Sequence, residues 1–398
     1  MHNTVIMSSF KGSRKIDWEI EIPEKLKKEE FEIILSKDGK RLQISDLQIV
    51  FNKTLRIPQD GKKYPLPPSL GQFKLYRVED YKDRVPKKWL KDGGLFFPML
   101  QKEAMWMEFE IDKRESVCAC ERRCFKRIPK ALKVATGMIN SVSGKPWKDQ
   151  LDQQNQDYLV IPDQKWLDGV NSGGTYINQF VAMPLGAGTS VEQQITGEDK
   201  FGGIQLLMYD SVKTSQWSTK ITQCPHKGFL YDVPRTLEGG VEFKQKKFSM
   251  VKEQEYAPFP EFPMYYKSRE SSPQEMSLSV GGIMAQKIEK DIYGYDNWDQ
   301  TKYARVFIHI VNSEMFKEIT GMSPPYSEVS AEIYTQYGYP WFYYYDETIP
   351  SIPKSNILGK LKTISDIQGT TTEESSFMVP KVIHIHKDPE DVFFFPKY

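Results

Sequence analysis

ARVFIHIV, Ala304 to Val311, is the stretch on which the fold turns. It is a continuous apolar run rich in β-branched residues, with the length of a buried strand and too short for an ordinary helix. Working outward, period-two patterns recur along the chain. IDWEIEI (16–22) puts Ile16, Trp18, Ile20 and Ile22 on one face and its charges on the other, which predicts a strand with one wet face. FEIILS (31–36), LQISDLQIVF (42–51), QFKLYRV (72–78) and the FFPML and MWMEFEI segments around 96–111 read the same way. A DGKR turn (38–41) and a QDGKKYPLPP loop (59–68) punctuate them. Residues 1–112 therefore predict an N-terminal antiparallel β unit. Residues 113–398 predict a β-rich α+β unit packed on it, with strands in YLVIP, YINQFVAMP, GIQLLMYD, GFLYDV, VEFKQKKFSMV and KVIHIH.

Helical signals are few. ALKVATGMINSVSG (131–144) is the best helix candidate in the first half. Ser313 caps EMFKEIT, with Gly321 just past its end, and Ser330 caps AEIYTQY, with Gly338 in the same role. Gly93-Gly94, Gly202-Gly203 and Gly281-Gly282 each precede an apolar run and predict turns entering strands. With 13% aromatic residues, 26 glycines and 25 prolines, the expected class is mainly β. Antiparallel, sandwich-like sheets should carry a few short helices and extended Pro/aromatic-rich arms.

The charge balance, 54 basic against 53 acidic residues, argues against a globally steered nucleic-acid binder. No apolar run beyond Val5–Met7 marks a secretory signal near the N-terminus. No window reaches the roughly 18 apolar residues of a membrane span. Four cysteines cannot staple so long a chain, and clustered thiols fit a reducing compartment, so the expected location is cytoplasmic.

Three of those cysteines, Cys118, Cys120 and Cys124, fall within seven residues, and the fourth, Cys224, stands two before His226. They supply enough ligands for zinc, although C-x-C with C-x-H is not the common knuckle spacing. The competing reading is packing: Cys120, Cys124, Ile128, Leu132, Ala135 and Ile139 form one stripe of a helix kinked at Pro129. Its opposite side carries Arg122, Arg123, Lys126, Arg127, Lys130 and Lys133, a candidate surface for anions or headgroups.

His384 and His386 share one strand face, and Glu390 follows. The His-x-His-x3-Glu pattern resembles the first metal motif of cupins, which implies one divalent metal ion and a metal-dependent enzyme. The second cupin motif does not follow before Tyr398, and Pro389 interrupts the strand, so His309 would have to complete the ligand set in a rearranged order. PLGAGTS (184–190) lacks the Lys and hydroxyl of a phosphate loop and reads as a turn.

Two segments mix proline with aromatics. EYAPFPEFPMYY (255–266) contains Phe259 and Phe262; YTQYGYPWFYYY (334–345) contains Tyr337, Tyr339, Trp341, Phe342, Tyr343, Tyr344 and Tyr345. Such extended arms either cover the chain's own sheet or form a platform for a partner or a second copy. YINQFVAMPLGAGTSVEQQITGEDKFGGIQLLMYD (176–210) and GGIMAQKIEKDIYGYDNWDQTKYARVFIHIVNSEMFKEITG (281–321) are together similar to an uncharacterised family of soluble bacterial and lower-eukaryotic proteins. The resemblance spans roughly residues 50–345 and implies a shared fold, with no activity, cofactor or site residue attached. The expected function is non-enzymatic: a cytoplasmic interaction or self-assembling protein, without cofactor, whose aromatic arms make the contact. The alternatives are a cupin-like metal enzyme and an anionic-surface binder through Arg122–Lys133.

Overall fold

The computed structural model describes residues 5–11, 14–20, 31–111, 115–116, 125–126, 128–212, 272–324, 335, 341–345, 350–369 and 382–386. Seventeen strands share one hydrogen-bonded network. In chain order they begin β1 (Ile33–Leu35), β2 (Arg41–Ile44), β3 (Leu47–Thr54), β4 (Lys63–Tyr64), β5 (Ser69–Gln72) and β6 (Tyr76–Arg77). Next come β7 (Leu95–Pro98), β8 (Ala104–Ile111), β9 (Lys130–Thr136), β10 (Ile139–Asn140), β11 (Leu159–Ile161) and β12 (Trp166–Leu167). The last are β13 (Gly169–Gly173), β14 (Tyr176–Pro184), β15 (Ile204–Ser211), β16 (Glu275–Ala285) and β17 (Trp298–Val311). Among the described residues the α-helices are short: α1 (Trp89–Asp92), α2 (Val191–Thr196), α3 (Ser313–Thr320) and α4 (Ile364–Gln368).

Two runs of mostly antiparallel strands make up the network. One runs β2–β3–β8–β14–β16. The other runs β11–β9–β15–β17–β7–β6. They join where Glu275 and Met276 of β16 pair with Val311 and Ile310 of β17. Within this network, parallel pairing is confined to β16 with β4 and β17 with β7. The fold is thus mainly antiparallel β with a few short helices, as the alternation predicts. β8, on one side of residue 112, pairs with β12 and β14 on the other, so strands from both segments share the network.

Alternation explains the core. Phe51, Met105, Met107, Leu132, Val134, Leu206, Met208, Val306 and Ile308 come from both runs and belong to one buried cluster. Removing such side chains from water is the main favourable contribution to folding. Outward faces are covered locally. Trp89 of α1 and Phe316 of α3 pack with Phe96 and Val311. Ile364 of α4 packs on Ala104, Val181 and Met183.

The structure corrects several expectations. Residues 131–144 are not helical: β9 turns at Gly137 into β10. Every residue of β9 is buried, with Leu132 and Val134 in the main core and Ala131 in an outer cluster. A strand buried on both faces loses its period-two signature, and its spacing mimics a helical stripe. The helix kinked at Pro129 is therefore absent beyond that proline. Before it, Glu115–Ser116 and Phe125–Lys126 pair as an antiparallel ribbon.

QFKLYRV is divided between β5 and β6. α3 is capped by Asn312, one residue earlier than expected, whose side chain accepts from Met315 N; Gly321 closes the helix in the left-handed region. Gly281-Gly282 lies inside β16, opposite a register shift in β14, and is no turn. The other two Gly-Gly steps do enter strands, and both are pressed against β17. A Cβ on Gly94 would sit 2.1 Å from the Phe307 carbonyl oxygen, and one on Gly203 2.4 Å from that of Ile308. Both glycines also have positive φ, so no other residue fits without strain.

Candidate interaction surface

The long strand β17 sends Ala304, Val306, Ile308 and Ile310 into the main core. By alternation Tyr303, Arg305, Phe307 and His309 face outward, and all four are half-buried. The register continues this face onto Gln205, Leu207 and Tyr209 of β15, then onto Ala131, Lys133 and Ala135 of β9. Residues 145–158 and 291–298 fold over part of it and bring in Trp147, Tyr158, Tyr293, Tyr295 and Trp298.

Arg305 is the centre of this face. Its guanidinium lies 5.9 Å from the Trp147 ring and 5.8 Å from the Phe307 ring. Asp149 holds both partners, ion-pairing with Arg305 Nη2 and accepting from Trp147 Nε1 at 2.9 Å. Burial lowers the Arg305 pKa, with Asp92 opposing the shift. Among the described residues Arg305 Nε has no hydrogen-bond acceptor. The ammonium of Lys133 also lies 5.5 Å from the Trp147 ring.

Lys133 is spent on structure. Its Nζ donates to the carbonyls of Lys148 and Gln150 at 2.8 and 2.6 Å and meets Asp157 Oδ2 at 2.7 Å. Three donors on three acceptors fix the loop that carries Trp147. Burial lowers the Lys133 pKa, and Asp157 offsets this only in part. Lys130 pairs with Asp46 at 2.9 Å and with Asp210. Burial works against its charge, but Asp210 and Asp46 outweigh burial and raise its pKa. Lys130 and Lys133, 4% and 1% exposed, therefore do not belong to the expected solvated basic face. Arg122, Arg123 and Arg127 lie outside the described residues, and Lys126 is placed only as a ribbon residue.

The other expected sites fall as follows. Cys118, Cys120, Cys124, Cys224 and Glu390 lie outside the described residues, as do Phe259, Phe262, Tyr337 and Tyr339. His384 and His386 stand on Val382–His386, which pairs in parallel with Trp341–Tyr345, opposite Tyr343 and Tyr345. Tyr344 lies in the same short strand, opposite Ile385. His309 is placed differently. Its ring stacks on Trp89 at 4.1 Å and 11°, and its Nε2 lies 3.1 Å from the Gly93 carbonyl. Burial, with Lys88 nearby, lowers its pKa to about 4. Among the described residues no three His, Cys, Asp or Glu side chains converge as a metal site. Trp341 and Phe342 are core residues rather than contact residues: they are 0% and 6% exposed, and Phe342 exchanges backbone hydrogen bonds with Leu66 at 2.8 and 3.0 Å.

Sequence reasoning missed Trp147, Asp149, Arg305 and Phe307. The signal for two of them was the alternation Arg305, Phe307, His309 inside ARVFIHIV, hidden because one run of apolar residues reads as continuous. A second polar feature is a narrow cleft between residues 163–166 and 285–289. Its charged residues Asp163, Lys165, Lys287 and Glu289 are all engaged. Nearby lies Asp168, whose backbone N–H donates to Gln286 Oε1 at 3.0 Å and whose Oδ2 accepts from Gln286 Nε2 at 2.7 Å. Burial pushes the Asp168 carboxyl up to about 7, with Gln286 opposing.

Among the described residues no helix is long and apolar enough to cross a membrane. No family model, curated protein or solved structure matches the chain.

Proposed function

We propose that this is a non-enzymatic, cytoplasmic interaction protein, and that its contact surface is the outer face of β17. One observation carries the reading: Arg305 is held between Trp147 and Phe307 on a half-buried face. Arg, Trp and Tyr are the residue types that dominate binding energy at interfaces, and a guanidinium already fixed by Asp149 loses little freedom on contact. The partner is a protein surface, either a second copy of the chain or another protein. Two strongly shifted buried groups support a framework role. Asp168 is tied to Gln286 and His309 to Trp89 and Gly93, at separate places in the fold.

Light scattering over a dilution series, combined with recovery of bound proteins on the immobilised chain, tests this reading. The wild type should associate or capture a defined partner, and W147A/F307S should lose that association with its melting temperature little changed. A strict monomer that captures nothing would sink it, as would association unaffected by W147A/F307S.

A further inference from the structure

Residues 286–291 are fastened to residues 156–168 by a succession of side-chain amides. Gln286 grips both the side chain and the backbone of Asp168, donating to Oδ2 at 2.7 Å and accepting from the N–H at 3.0 Å. Gln164 donates to the Lys287 carbonyl at 3.3 Å and accepts from Glu289 N at 2.8 Å. Gln156 donates to the Glu289 carbonyl at 2.9 Å and accepts from Asp291 N at 2.7 Å. The Asp291 carboxylate in turn accepts from Tyr293 N, the Tyr158 hydroxyl and Trp298 Nε1. An unbroken tether thus runs from Asp168 to the 291–298 loop, which brings Tyr293, Tyr295 and Trp298 onto the β17 face.

Asp168 is the weak point of the tether. It is 2% exposed, and burial outweighs the Gln286 bond to raise its pKa to about 7. No ion partner offsets that burial. β13 and β14, on either side of it in the sheet, contain no charged residue, and the one in β16, Glu275, is at the far end from Gln286. On β8, Glu108 stands opposite Trp166 and is itself pushed toward its neutral form by burial. Asp163, Lys165, Lys287 and Glu289 line the neighbouring cleft and are all engaged. A neutral carboxyl is tolerated in such a place, whereas a carboxylate needs more donors than one amide supplies. The cleft of about 30 Å³ that Gln286 helps to line has room for ordered water, so an ionised Asp168 gains hydration if Gln286 gives way.

We propose that Asp168 and Gln286 form a proton-operated latch on the β17 face: loss of the Asp168 proton draws water into the cleft, frees Gln286 and slackens the tether that positions the 291–298 loop for its partner. This rests on the β17 face being the contact surface and adds its regulation. The closed latch holds the Asp168 proton up to about pH 7, and the open one releases it near the ordinary value of 3.8. Closure is therefore complete in acid, weakens by about tenfold per pH unit between the two values, and levels off above the higher one. Acid tightens association and neutral pH relaxes it.

Hydrogen exchange on the full chain, corrected for the intrinsic pH dependence of amide exchange, reads the latch directly. Protection at Glu289 and Asp291, whose amides donate to Gln164 and Gln156, should fall about tenfold per unit between about pH 5 and 6.5 and level off above about pH 7. Residues 313–320 serve as the reference and should show no such fall. D168N should abolish the slope. Light scattering at the same pH values should show wild-type association weakening in step, and D168N association independent of pH. The wild-type slope is decisive without the variant: no slope, or an equal loss in 313–320, would overturn the latch. A slope in exchange with association unmoved would overturn its regulatory role and leave the β17 face standing. A chain that associates at no pH would sink the β17 reading and the regulation together, while the exchange slope would still establish the latch.

Discussion

Two buried titratable groups make the stability of this protein depend on pH in opposite directions, and the dependence should be visible only when one of them is removed. Asp168 has its folded pKa raised from 3.8 to about 7 by burial. The folded state therefore holds the proton more tightly than the unfolded chain. Its stabilising effect is complete below the unfolded pKa and is lost as pH rises toward 7. His309 is the reverse: its pKa is lowered from 6.5 to about 4 by burial under Trp89. The unfolded chain takes up that proton first, so stability is present above pH 6.5 and is lost as pH falls toward 4.

At roughly 1.4 kcal/mol for each pKa unit, acidifying from pH 6.5 to 4.5 adds about 2 kcal/mol through Asp168 and removes about 2 kcal/mol through His309. The wild type should therefore show little net change from this pair across the window. D168N keeps the amide-compatible pairing with Gln286 but cannot titrate, so it should lose about 2 kcal/mol on acidification. H309Q keeps a donor for the Gly93 carbonyl and should gain about the same. D168N should also be the more stable of the two at pH 7.5, where the wild-type carboxyl is charged and buried. Urea unfolding at half-unit pH steps, with a common slope, reads all three curves. If D168N keeps the wild-type profile, Asp168 does not carry the proton assigned to it and the argument fails.

Further outcomes are equally concrete. K133A leaves Asp157 buried without its ion partner and two carbonyls without their donor, and should cost about 3–5 kcal/mol in chemical unfolding; K133M should cost less. Y158F deletes the 2.6 Å hydrogen bond to Asp291 while the Trp298 Nε1 donor to the same carboxylate remains. It should lower stability by about 1 kcal/mol, and the wild-type Tyr158 hydroxyl should resist ionisation beyond the range of free tyrosine in an alkaline absorbance titration. N312A removes the cap of α3 together with the side-chain bonds to Gln274 N and the Ser272 carbonyl. The cap alone should cost about 1 kcal/mol, and hydrogen exchange should quicken in 313–320.

What the sequence revealed depended on whether a strand had one wet face. β2, β3 and β8 present one face to the core and a more polar one outward, so LQISDLQIVF and MWMEFEI show their period. β9 does not. The Leu132 side points to the main core and the Lys133 side to the loop at 145–157, so no polar residue in β9 marks a solvent face. Lys133 looked like a surface cation because a buried lysine needs acceptors, and its acceptors come from residues 148, 150 and 157. Nothing in a local window can announce them. The same applies to the Gly-Gly steps: two are turns and one is a bulged strand, and only the neighbouring strand distinguishes them.

The aromatic residues carry the argument one step further. By count, 334–345 is the richest aromatic segment, and the natural inference is that such a run makes the contact. Trp341 and Phe342 are instead spent on the core: Phe342 bridges Leu66 and both rings enter the main cluster. Half-buried rings on the β17 face, Trp147, Tyr295, Tyr303 and Phe307, come from scattered parts of the sequence and are gathered by register and by loops anchored on buried ions. A recognition surface built this way depends on the sheet behind it. Breaking Lys133–Asp157 should therefore loosen Trp147 from Arg305 and weaken association before it unfolds the chain. In K133M Asp157 stays buried without its cation and the chain is destabilised, so the comparison is made at a temperature where it remains folded; there Trp147 fluorescence and association should change together. A K133M chain that associates normally would show that the loop is held by other contacts, and that Arg305 with Phe307 suffices for the surface.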